Sequence, residues 1–181
     1  ASIAVSGGST PKPLFEKLSH SNIDWSKVDL TLVDDRWVDS DHKDSNELLV
    51  KTHFIKNKAS KVNFIPLKND AKSAKEGASL SEDVLKGISM PFDLIILGMG
   101  ADGHTASLFP CSDELSIGMD LKTKSTLVAT TPKTAAYERI SLTAKSIMSS
   151  RKIFLHINGS SKLLALEEAM NLSDFYKMFM D

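Results

Sequence analysis

An α/β architecture is what the sequence predicts: Rossmann-like, with a mostly parallel sheet flanked by helices in a three-layer sandwich. Three observations point to it. Short runs of β-branched and apolar residues recur seven times, several of them separated by stretches of helical spacing, and alternating strands and helices imply parallel pairing through crossovers. The run LIIL, Leu94 to Leu97, is apolar throughout, as suits a strand covered on both faces and placed centrally. Glycine-bearing polar segments follow directly on strand-like runs, the address at which open α/β sheets hold ligands.

In chain order, SIAVSGG from Ser2 reads as the first strand. Thr10 is then placed to cap a helix that has Pro11 in its first turn and Leu14 and Leu18 on one face. VDLTLVDD from Val28 is the second strand, with Asp34 and Asp35 at its carboxyl end. Asp44, three residues before Glu47, has the spacing of a capping box ahead of Leu48, Leu49 and Thr52. VNFIPL from Val62 follows, and Ala71, Ala74, Ala78, Leu85 and Ile88 hold helical spacing. FDLIILGMG from Phe92, STLVATT from Ser125, RISLT from Arg139 and KIFLHING from Lys152 complete the strands, and a helix is expected from Lys162 to Met170.

The 181 residues, 41% hydrophobic, suffice for one core, so residues 1–181 are read as one domain. Its first strand has no helix before it, which would leave one sheet face less covered and suggests a piece of a longer chain. Lysine plus arginine (22) nearly cancels aspartate plus glutamate (23), which argues against nucleic-acid or membrane partners; an anion must be held by a local cluster. Cys111, the single cysteine, offers neither an internal disulfide nor zinc-ligand spacing and suits a reducing compartment such as the cytoplasm. No apolar run is long enough to span a bilayer, and the first residues lack the profile of a signal peptide.

Four polar segments carry the chemistry. In SGGSTP, Gly7 and Gly8 can turn backbone amides toward an anion with Ser9 and Thr10 at a helix start, or form no more than a tight turn. The lysine of a P-loop is absent, and Pro11 replaces the last glycine of a nucleophile elbow. In DDRWVDSDHKDSN, Asp34 and Arg36 are candidates for holding a hydroxyl, a carbonyl oxygen or each other. Calcium is a poor match there, because Lys43 takes a ligand position and the central glycine is absent.

The third segment contains a literal G-x-G-x-x-G at Gly98, Gly100 and Gly103. A dinucleotide is disfavoured on three counts: Asp102 would repel a pyrophosphate, Pro110 stops any long helix, and STLVATTP ends without an acid to hold a ribose. The glycines instead bring backbone close to a small ligand and present Asp102 and His104, a carboxylate and a base able to take a proton from water and return it. The fourth group is dispersed: Arg139 and, after the turn Gly159 to Ser161, Lys162 are two cations of the kind a phosphate dianion requires.

VSGGSTP, VDDRWVDSDHKDSN, GMGADGHTASLFP and ERISLT, with NGSSK, resemble in order the segments of the glucosamine-6-phosphate isomerase/6-phosphogluconolactonase family. DGHTASLFP resembles the lactonase branch; the deaminases have a catalytic glutamate where this chain has Phe109. The resemblance implies hydrolysis of 6-phospho-D-glucono-1,5-lactone in the oxidative pentose phosphate pathway without a cofactor or metal. It further implies that SGGST, Arg139 and Lys162 hold the phosphate, that Gly100 lies against the substrate, and that His104 is the base. Asp102 would orient His104, and the oxyanion would be met by Arg36 or by an amide of the Gly98 to Gly103 loop. It also implies N-terminal and some C-terminal family elements beyond this sequence, and a monomer or homodimer. The competing readings are a deaminase or isomerase, a non-catalytic sugar-phosphate binder, and a nicotinamide-dependent dehydrogenase.

Overall fold

The computed structural model describes residues 1–171. The predicted α/β class is the one observed. Strands β1 (Ser2–Val5), β2 (Asp29–Leu32), β4 (Asn63–Ile65), β5 (Leu94–Leu97) and β8 (Ile153–Leu155) form a parallel sheet in the order β4-β2-β1-β5-β8. The chain leaves β1 for β2 on one side and reaches β5 on the other, so the strand order reverses between β1 and β5. At such a point the carboxyl ends of neighbouring strands diverge and leave a crevice. LIIL is thus an inner strand, with β1 rather than β5 at the centre.

The single sheet expected from the sequence divides in two. β3 (Asp34–Arg36), β7 (Arg139–Leu142) and β6 (Leu127–Thr130) make a separate antiparallel sheet in the order β3-β7-β6. The expected strand VDLTLVDD is therefore broken at Val33. The Val33 N–H donates to Val5 of the parallel sheet (2.9 Å), while its carbonyl accepts from Leu142 of the antiparallel one (2.8 Å). Asp34 and Asp35 begin a strand instead of ending one. β6 and β7 had to be antiparallel, because the link between them is too short for the crossover that parallel neighbours require.

Among the described residues six α-helices accompany the strands: α1 (Lys12–Ser19), α2 (Asn46–His53), α3 (Ala74–Leu85), α4 (Leu115–Gly118), α5 (Ala144–Met148) and α6 (Ser160–Asn171). Phe15 of α1 stacks on Phe54 just after α2 at 5.2 Å between ring centres, and Trp25 meets Phe54 edge-on at 5.3 Å. These rings join Val5, Leu30, Leu32 and Ile95 in the buried core. Burial of such side chains contributes on the order of 1.5–3 kcal/mol each.

Two expected caps shift by one residue. Pro11, with no side-chain cap, precedes α1 in place of Thr10, which leaves Thr10 in the loop after β1. Ser45 rather than Asp44 caps α2, its hydroxyl accepting from Leu48 N–H at 3.2 Å. The start of α2 is also held by Asp35, whose carboxylate accepts from the N–H groups of Asn46 (2.7 Å) and Glu47 (3.1 Å). Burial nevertheless dominates and pushes the Asp35 carboxyl up to about 6.

A folded-state pKa above the unfolded value means that this group's contribution to stability is fully present below the unfolded pKa, near 4, and is lost as the pH rises through about 6. Urea unfolding from pH 4 to 7 should show this decline in the parent and a flatter curve in Asp35→Asn. Parallel curves would refute the assignment.

Candidate active site

Residues from all four polar segments line one cleft of about 240 Å³. Gly7, Gly8, Ser9, Thr10, Asp34, Arg36, Gly100, His104, Arg139 and Lys162 line it, so of the residues given a catalytic or substrate-binding role from the sequence only Asp102 lies outside its lining. Asp102 stands behind His104. Its carboxylate lies 2.5 Å from His104 Nδ1, and a carboxylate can only accept, so Nδ1 carries a proton; in the neutral ring the lone pair is then on Nε2. Burial alone would raise the Asp102 carboxyl; the hydrogen bond and charge of His104 outweigh it and hold the group below its ordinary value.

The glycine spacing of the third loop follows from this pair. A methyl group on Gly100 would overlap both the His104 ring and the Asp102 carboxylate. Gly100 N–H donates to the His104 carbonyl at 2.8 Å, which closes the turn and sets the imidazole at the end of β5. Beneath the ring lies Phe109, stacked with centres 3.9 Å apart and planes 26° from parallel.

Across the cleft the antiparallel sheet supplies cations. Arg36 on β3 and Arg139 on β7 are direct cross-strand partners, so both side chains leave the same face of the sheet. Like charges placed directly opposite are unfavourable. Among the described residues neither arginine has a carboxylate within ion-pair distance, and the buried Nε of each has no hydrogen-bond partner. Arg139 is 7% exposed; burial first, then the charge of Arg36, lower its pKa. The charges of Asp34, Asp35 and Asp44 act on Arg139 from farther off and do not offset these two effects.

Asp34 does not steady Arg36. Its carboxylate accepts from Ser107 Oγ at 2.5 Å, and Asn46 holds the arginine instead: Arg36 Nη1 donates to Asn46 Oδ1 (2.9 Å) and to the Asp44 carbonyl (2.8 Å). Asn46 Nδ2 in turn donates to the Asp34 carbonyl at 2.8 Å. A side chain at residue 7 would collide with Asn46, so the glycine there lets the loop after β1 approach the arginine bracket. Among the described residues, the amides of Gly7, Gly8, Ser9 and Thr10 donate to no backbone acceptor, leaving them available to an anion.

Three contributors escaped the sequence reading. In the sequence Asn46 reads only as part of a loop, and its role arises from contacts no spacing reveals. Phe109 was read as the absence of a proton carrier, not as the partner of His104. His156 lines the cleft with a buried Nδ1 that has no hydrogen-bond partner among the described residues, and its place directly after β8 is a usable signal.

An α/β protein with two arginines lacking ion-pair partners among the described residues and a histidine–carboxylate pair, both at one switch-point cleft, is the class that fold and site define. A family profile described as glucosamine-6-phosphate isomerases/6-phosphogluconolactonase matches residues 1–178, and the chain belongs to that family. It is 38% identical to a 6-phosphogluconolactonase of Rhizobium meliloti over 98% of this chain and 77% of that protein. It is 40% identical to one of Helicobacter pylori over 98% of this chain and 75% of that protein. A crystal structure of a 6-phosphogluconolactonase from Shewanella baltica superimposes with a TM-score of 0.94 at 46% identity, over 98% of this chain and 76% of that one.

Proposed function

We propose that this protein hydrolyses 6-phospho-D-glucono-1,5-lactone to 6-phospho-D-gluconate, the step named for its relatives, in the oxidative pentose phosphate pathway. The observation that carries the reading is the opposed Arg36–Arg139 pair, with no carboxylate in ion-pair contact among the described residues, in one cleft with a histidine whose Nδ1 is held by Asp102. The phosphate takes the arginine pair, Lys162 and the amides of the loop after β1, and binding energy there positions the lactone beside His104. His104 Nε2 removes a proton from water as the water oxygen attacks the lactone carbonyl carbon. Charge gathers on the carbonyl oxygen, which an amide of the Gly98 to Gly103 loop receives, Arg36 being engaged by the phosphate. The carbon to ring-oxygen bond then breaks, and the proton held on His104 passes to the departing ring oxygen.

The deaminase reading requires a proton carrier beside the histidine, and the ring found there is that of Phe109. A cytoplasmic location suits the single cysteine, Cys111. The test is to follow lactone disappearance with and without protein, corrected for spontaneous hydrolysis, while assaying ammonia release from glucosamine 6-phosphate. Lactone loss proportional to protein, with no ammonia, is expected. Binding of 6-phosphogluconate with no acceleration of lactone loss would leave a sugar-phosphate binder instead.

A further inference from the structure

We infer that Phe109 is a positioning residue for this reaction: its ring fixes the plane of the His104 imidazole and so the direction in which Nε2 meets the cleft. The inference rests on the lactonase reading above. A single hydrogen bond between Nδ1 and Asp102 works as a hinge about which the imidazole can swing. Asp102 is itself a yielding anchor, its side chain 46% exposed in a turn. Phe109, 4% exposed and stacked at 3.9 Å, removes the swing that the hydrogen bond allows.

The two constraints come from different sheets. The His104 loop hangs from β5 of the parallel sheet. The segment leading to Phe109 is tied to the antiparallel one: Ser107 N–H donates to Ser141 Oγ (3.1 Å), the Ser107 carbonyl accepts from Thr130 Oγ1 (3.0 Å), and Ser107 Oγ donates to Asp34. The Arg139 guanidinium also packs on the Phe109 ring, 5.7 Å from its centre. One aromatic ring thereby sets the base relative to the cations that hold the far end of the substrate. A small displacement between those groups is costly, because misplacing reacting atoms by about 1 Å can lower a rate by about 10²-fold.

Phe109→Leu should lower kcat roughly 10- to 100-fold while KM changes less than about threefold, since phosphate contacts survive and only the attack geometry degrades. Phe109→Tyr keeps the ring face and should retain kcat within about threefold. Proton NMR without substrate supplies a second readout: the His104 Cε1–H resonance should be displaced by the aromatic ring current in the parent and the Tyr variant, and return toward the free-histidine position in the Leu variant. If Phe109→Leu fails to fold, Phe109→Met takes its place in both measurements. A folded Leu or Met variant with parental kcat or an undisturbed His104 resonance overturns the inference, as does a Tyr variant as slow as Leu. A parent protein that shows the displaced resonance but no lactonase activity would sink the reading of the reaction and leave the stacking intact, so the two failures are distinguishable.

Discussion

Replacing His104 with alanine should remove most turnover, about 10² to 10⁴-fold in kcat, while leaving the affinity for 6-phosphogluconate nearly unchanged. The separation follows from the layout of the cleft. His104 is supplied by the loop after β5, and its Nδ1 is committed to Asp102; the groups assigned to phosphate come from β3, β7, the loop after β1 and the start of α6. Deleting the imidazole takes away the acceptor for the water proton and touches none of the anion contacts. Stopped-flow lactone hydrolysis together with calorimetric titration of 6-phosphogluconate reads both quantities. A variant with parental kcat would show that proton transfer from water uses another group, and a parallel loss of affinity would show that His104 binds rather than reacts.

Arg139→Ala should produce the opposite pattern. Loss of a charge-assisted hydrogen bond to phosphate costs about 1.5–3 kcal/mol, which corresponds to roughly 10- to 150-fold weaker binding of 6-phosphogluconate. In the absence of ligand the same change should leave stability unaltered or raise it. It relieves the repulsion with Arg36 and removes a buried cation whose only hydrogen bond among the described residues runs from Nη2 to the Ala136 carbonyl at 3.1 Å. Side chains retained for folding alone do not behave this way; a residue that weakens the empty protein and strengthens the occupied one marks a binding site. Thermal unfolding with and without 6-phosphogluconate checks it. A large drop in the melting temperature of the ligand-free variant would make Arg139 a structural residue.

Much of this was legible in the chain itself. The positions of the strands follow from β-branched runs, and the glycine segments after β1 and β5 announce themselves by composition. Asp102 and His104 are two residues apart, so a turn alone brings them together, and the glycines that make the turn are part of the same motif. Cap positions slipped by one residue at Thr10 and Asp44 because adjacent polar residues compete for a cap, and the backbone path decides which one takes it.

The sequence by itself determined the local chemistry: an α/β alternation, a loop with free amides, and a histidine beside a carboxylate. Tertiary structure alone decided that VDLTLVDD breaks at Val33 into two sheets, that Arg36 lies opposite Arg139, and that Phe109 lies under His104. The reason is physical. Spacing along a chain encodes which side chains share a turn or a face, whereas strand register and the packing of one sheet against another depend on the whole core, and it is the core that brings distant cations to one side of a cleft and a base to the other.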